Sequence, residues 1–167
     1  GSRRRALAPQ SFPAGIAAAN LLGFTTQTSG RGEVATSGFS LPRKLLGRDT
    51  VIHTRRPEAW AGLSEADAAL LDVLRRGGKT SELSPEETVR RTLAMFREPG
   101  RFERMLKVSS SEPPRVRAML GAIGEEIGKR PAALQCLRAS LNRVSRFEFG
   151  TLKGLSHAGR WQAKGRR

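Results

Sequence analysis

Tyrosine is absent from the 167-residue sequence, and phenylalanine and tryptophan together make up 5% of it. Proteins that hold single-stranded RNA stack bases on exposed rings, so this shortage argues against an RNA platform. The one cysteine, Cys136, cannot close an internal bridge. A chain of this length buries enough apolar surface to fold without one, and a reducing compartment, the cytoplasm, is expected. His53 and His157 are the only histidines, with no carboxylate or thiol at ligand spacing, so neither a metal site nor a histidine-based triad is expected. The longest apolar run, Ile16 to Phe24, is interrupted by Asn20 and falls far short of the roughly 20 residues that cross a bilayer. Arg3, Arg4 and Arg5 imitate the start of a targeting peptide, yet the run ends in Thr25, Thr26 and Gln27, which speaks against targeting and against a membrane partner. Gly1 and Ser2 read as a cloning remnant, so residue 3 is not taken for a natural start.

Positive charge is what the chain has in excess. Thirty Lys and Arg face 15 Asp and Glu, a net of +15. Residues 1–56 carry nine basic and two acidic side chains, a net of +7; residues 57–150 carry 16 and 13, a net of +3; residues 151–167 carry five and none, a net of +5. The excess therefore sits at the two ends. It favours an acidic or polyanionic partner, because each cation adds to long-range steering and each neutralised phosphate releases counterions.

The first third reads as a small sheet with one helix. PAGIAAANLL, Pro13 to Leu22, suits a short helix closed by Gly23. Glu33 to Ser37 and Thr50 to Arg55 are β-prone, separated by turns at Leu41-Pro42 and at Leu46 to Asp49. A helical lobe follows. Ser64 caps a helix from Glu65 to Arg76 with Leu70, Leu71 and Leu74 as its apolar stripe and Gly77-Gly78 as its stop. Ser84, Pro85 and Glu87 form a capping box ahead of Val89, Leu93 and Phe96. Phe102 to Val108 forms a shorter helix broken by Ser109 to Ser111, Arg115 to Ile127 buries the face of Val116, Met119, Leu120, Ile123 and Ile127, and Pro131 opens a last helix through Leu134, Leu137 and Leu141. Phe147-Glu148-Phe149 alternates like a short strand, and a basic tail ends the chain.

No motif points to catalysis. Glu125 and Glu126 are adjacent, point in different directions on a helix and read as surface charge. Gly30-Arg31-Gly32 lacks the lysine and helix start of a phosphate loop and reads as a turn. The stretch from Gly77 to Ser84 is too long for a helix-turn-helix. No cofactor and no small-molecule substrate are expected.

Two segments, Ala18-Ala19-Asn20-Leu21-Leu22-Gly23-Phe24-Thr25-Thr26-Gln27 and Glu112-Pro113-Pro114-Arg115-Val116-Arg117-Ala118-Met119-Leu120-Gly121-Ala122, resemble the core of AbiEi-type antitoxins of bacterial toxin–antitoxin pairs. With Val51 to Pro57 and Leu63 to Leu74 between them, the resemblance spans residues 14–150. It implies a non-catalytic chain that neutralises a cognate toxin of the nucleotidyltransferase fold by direct complex. It also implies a winged helix that binds promoter DNA ahead of that region, and this sequence shows none before Pro13.

The resulting expectation is an α+β fold: a basic N-terminal extension at 1–12, an antitoxin-like domain at 13–150 with an α/β part (13–60) and a helical part (61–150), and a basic tail at 151–167. A carboxylate-lined nucleotidyltransferase pocket is a natural target for cations. The expected partner contacts are Arg55, Arg56, Arg115, Arg117, Lys153, Arg160, Trp161, Arg166 and Arg167. The alternative, a DNA-binding autoregulator of the operon, would use Arg3, Arg4, Arg5, Arg55 and Arg56 on phosphates.

Overall fold

The computed structural model describes residues 11–28, 33–36, 51–53 and 56–166. Arg3, Arg4, Arg5, Arg55 and Arg167, the Gly30-Arg31-Gly32 turn and both turns expected between residues 41 and 49 lie outside the described residues. The fold is α+β, a small sheet early in the chain followed by a helical lobe, and it divides into two units, residues 1–73 and 74–167.

The first unit holds a three-stranded sheet in the order β1 (Ser11–Pro13), β2 (Glu33–Thr36), β3 (Val51–His53). β1 pairs antiparallel with β2, Phe12 opposite Ala35, and β2 pairs parallel with β3, Val34 opposite Ile52. β1 falls where a basic extension was expected. Phe12 anchors it, being buried with its ring edge-on to Trp60 at 5.7 Å, a geometry worth about 1 kcal/mol beyond the area buried. Helix α1 (Gly15–Leu21) follows and packs on β2 through its alanines, Ala18 and Ala19 being fully buried. It opens at Gly15, whose φ of +58° is open to glycine and whose N–H donates to the buried Asp72 carboxylate at 2.9 Å.

Helix α2 (Glu65–Arg75) starts at Ser64, whose hydroxyl accepts from Asp67 N–H at 3.1 Å. The sequence suggests one apolar stripe here, but every residue from Asp67 to Leu74 is buried. Alanines at 68 and 69 beside the leucines make this stretch apolar save for Asp67 and Asp72.

The second unit contains α3 (Pro85–Phe96), α4 (Arg101–Val108), α5 (Pro114–Glu126) and α6 (Pro131–Ala139). Ser84 caps α3 by accepting from Glu87 N–H at 3.1 Å, and the Glu87 carboxylate pairs with Arg90 one turn on. The serines 109–111 prolong α4 as a 3-10 turn. α5 is the spine: Val116 and all residues from Ala118 to Gly124 are buried, and α6 packs along it.

The C-terminal segment differs most from expectation. Residues 151–166 are folded onto this lobe, through 3-10 turns at Gly150–Gly154 and Gly159–Trp161, with Leu152, Leu155, Ala158, Trp161 and Ala163 buried. The bare backbone of Gly121 in mid-α5 admits the Trp161 ring, where a Cβ would stand 2.2 Å from the ring carbons. Gly150 also approaches Gly77 closely: Thr151 N–H donates to Gly77 O at 2.9 Å, and a Cβ on Gly150 would lie 2.7 Å from that oxygen. The strand expected at Phe147 to Phe149 reduces to a single bridge, Phe147 with Ala163. Among the described residues no helix is long and apolar enough to cross a membrane.

Candidate partner-binding face

The cations singled out from sequence occupy different settings. Arg56 is largely buried in the first unit, 3.8 Å from the Asp72 carboxylate and over the Trp60 ring. Arg115 donates to the main-chain oxygen of Arg75, and its pKa is lowered from the usual guanidinium range by burial and by the neighbouring Arg75 charge. Arg117 donates to Glu112 O and to Ser140 O, both at 3.1 Å. Between them Arg75 grips the fully buried Glu112 carboxylate with two 2.9 Å hydrogen bonds, so the start of α5 is a brace of four charged side chains. Lys153 and Arg166 are exposed. Trp161 is buried, 1% exposed, at the floor of a cleft.

Arg160 and Trp161 are brought together with Glu125 and His157, to which sequence reading assigns no site role, and with Arg138, which it does not single out. Glu125, on the last turn of α5, is the hub. Its Oε1 accepts from Trp161 Nε1 at 2.9 Å and from Arg138 Nη2 at 3.1 Å, while its Oε2 lies 3.5 Å from His157 Nδ1 and from Arg160 Nη1. It is a half-buried junction on the cleft wall rather than an isolated surface charge. Arg138, on α6, lies over the Trp161 ring at 4.0 Å and also donates to Arg160 O at 3.0 Å. A guanidinium held on three sides keeps its position without a partner.

Two clefts open on either side of Arg138. One, of about 640 Å³, is lined by Glu125, Lys129, Leu134, Arg138, His157 and Arg160 among others. The second, of about 620 Å³, is lined by Gln135, Arg138, Leu141, Arg143, Arg146 and Gln162 among others. Together they present five cationic side chains and one carboxylate, and that carboxylate already accepts from Trp161 and Arg138. Lys129 is paired with Glu103, and Arg138 and Arg160 share Glu125, so the lining keeps an excess of positive charge.

Between α6 and the bridge at Phe147, the loop 142–146 carries Arg143 and Arg146. The signal that could have found this face is the spacing of Arg138, Arg143 and Arg146, three cations in nine residues, with no acid between Glu126 and Glu148. Among the described residues no group of three or more His, Cys, Asp or Glu could hold a metal ion.

Compared with known proteins, the chain matches no family model, no curated protein and no solved structure.

Proposed function

We propose that this chain is the toxin-neutralising part of an AbiEi-type antitoxin, acting in the cytoplasm by direct complex with a nucleotidyltransferase-like toxin and catalysing nothing itself. The observation that carries the reading is the pair of clefts beside Arg138, five cations around one engaged carboxylate. A nucleotidyltransferase pocket holds metal and nucleotide through carboxylates, so a cationic face is its electrostatic complement, able to steer association and cover the pocket. The resemblance adds to this. Its two segments supply core in part, Ala18, Ala19 and Phe24 in one, where Leu21 is exposed, and Val116 and Ala118 to Ala122 in the other, and the reading places partner contact on the exposed cations elsewhere. Arg143, Arg146 and Arg160 are the contacts this reading favours, with Arg138 set between them.

The test is growth of cells in which the toxin encoded beside this gene is induced. Expression of the chain restores growth; continued arrest despite accumulation of folded protein would overturn the reading. A second reading, a regulator that holds duplex DNA by its phosphates, is favoured by the exposed Lys164 and Arg166 that extend the cationic segment. It predicts a DNA affinity that falls steeply as salt rises.

A further inference from the structure

Gln162 is the one non-glycine residue with positive φ among the described residues, at φ 68° and ψ 27°. L side chains adopt this left-handed geometry rarely, so something holds it there. The amide of Gln162 supplies the reason: its Nε2 donates to Asn142 O and to Ser145 O, both at 2.7 Å. Its own carbonyl accepts from Phe147 N–H at 2.8 Å. Asn142 closes the loop from within, Oδ1 accepting from Val144 N–H at 3.0 Å and its carbonyl from Ser145 N–H at 3.1 Å. One side chain, 17 residues beyond Ser145, thus fastens both ends of the loop 142–145.

The tip of that loop is Val144, 85% exposed and the most exposed large apolar side chain among the described residues. Arg143 and Arg146 flank it in the open, and beside it lies the 620 Å³ cleft whose lining includes Arg138, Arg143 and Arg146 but no carboxylate. Neither the loop's hydrogen bonds nor the core requires an apolar group at the tip. A rigid loop loses little freedom when it binds, which is how interface anchors gain affinity.

We infer that the loop 142–146 is the anchor that grips an acidic protein surface, Val144 filling an apolar socket whose rim carboxylates pair with Arg143 and Arg146, and Gln162 setting the loop in its bound shape beforehand. The inference rests on the antitoxin reading, so the partner is the toxin. A protein suits the tip better than a nucleic acid does. A phosphodiester chain offers nothing to an isopropyl group, and the nearby Trp161 is buried beneath Arg138, leaving no ring for a base to stack on.

The experiment is calorimetric titration of the purified toxin into the wild-type chain and into Val144→Ser, Gln162→Gly and the Arg143→Ala/Arg146→Ala pair, with duplex DNA as the second titrant. Gln162→Gly keeps the left-handed backbone and removes only the amide clamp, so a melting curve like the wild type's separates an effect on binding from one on folding. The serine and glycine variants are each expected to weaken toxin binding about 10-fold, as loss of an anchor and of preorganisation would, with DNA binding alike in all chains. Wild-type affinity in both variants would overturn the anchor and leave the antitoxin reading standing. Loss of DNA binding in the arginine pair with toxin affinity intact would overturn it in favour of a nucleic acid. Failure of the wild-type chain to bind the toxin would remove the antitoxin reading and the anchor with it.

Discussion

Trp161 lies across the bare backbone of Gly121, so close that a Cβ there would stand 2.2 Å from the indole carbons. The contact joins the last turn of the fold to the middle of α5, and the ring's other partners, Arg138 over its face and Glu125 at its Nε1, shape the cationic clefts. The stability of the lobe and the form of the proposed binding face therefore depend on the same side chain.

Trp161→Ala is expected to lower stability by about 3–5 kcal/mol, as for other buried aromatic truncations, and Gly121→Ala to be of similar severity because helix backbone and indole must part. Urea unfolding followed by far-UV circular dichroism measures both. A loss under about 1 kcal/mol for Trp161→Ala would be the behaviour of a surface tail.

Gly150→Ala should be destabilised by roughly 2 kcal/mol or more, since it combines a left-handed φ of +60° with a carbonyl 2.7 Å from the new Cβ. Gly165→Ala has a φ of +74° but nothing within 4 Å, and should cost about 1 kcal/mol. The difference between the two melting shifts isolates the close approach to Gly77.

Much of this architecture could be read from the chain, and the misses have physical causes. Capping serines, helix-opening prolines and three-and-four spacing locate α2 to α6 because those signals are local. The folded C-terminal segment was hidden because its apolar residues, Leu152, Leu155, Ala158 and Trp161, recur every three residues among glycines and cations, a spacing that fits neither the 3.6-residue period of an α-helix nor the alternation of a strand. Gly121 was the available signal, since a glycine in mid-helix costs about 1 kcal/mol relative to alanine and implies a close neighbour. Arg115 and Arg117 looked like surface cations; only the fold brings Arg75, Glu112 and Ser140 to them.

Glu112→Gln should destabilise by about 3 kcal/mol, because it breaks a bidentate pair around a fully buried carboxylate and leaves Arg75 uncompensated. Thermal unfolding at neutral pH checks this. A change within about 0.5 kcal/mol would mean that the brace adds little.

Glu103 gives the fold an acid-sensitive contact. The hydrogen bond from Lys129 at 2.7 Å, first among several causes, holds its carboxyl below the usual range. A carboxyl with a lowered folded pKa stabilises the native state above its unfolded pKa, and that contribution disappears as pH falls through the folded value. Wild type should therefore exceed Glu103→Gln in urea midpoint at pH 7, by a small margin because the pair is exposed, and the gap should close toward pH 3.

The cationic face itself is addressed by the triple change Arg143→Glu, Arg146→Glu and Arg160→Glu. All three side chains are exposed, but Arg160→Glu also sets like charge beside Glu125, which lies 3.5 Å from the Arg160 guanidinium, so the melting temperature should fall slightly while binding of the proposed toxin weakens about 100-fold or more through like-charge repulsion. Unchanged binding would move the contact to another surface.

The measurement that tests the central claim most directly is size-exclusion chromatography with light scattering of this chain coexpressed with the product of the neighbouring gene, the proposed toxin, at salt high enough to screen loose charge attraction. The account predicts coelution at a defined mass, with the toxin inactive in the complex. Separate elution of two folded proteins would contradict it.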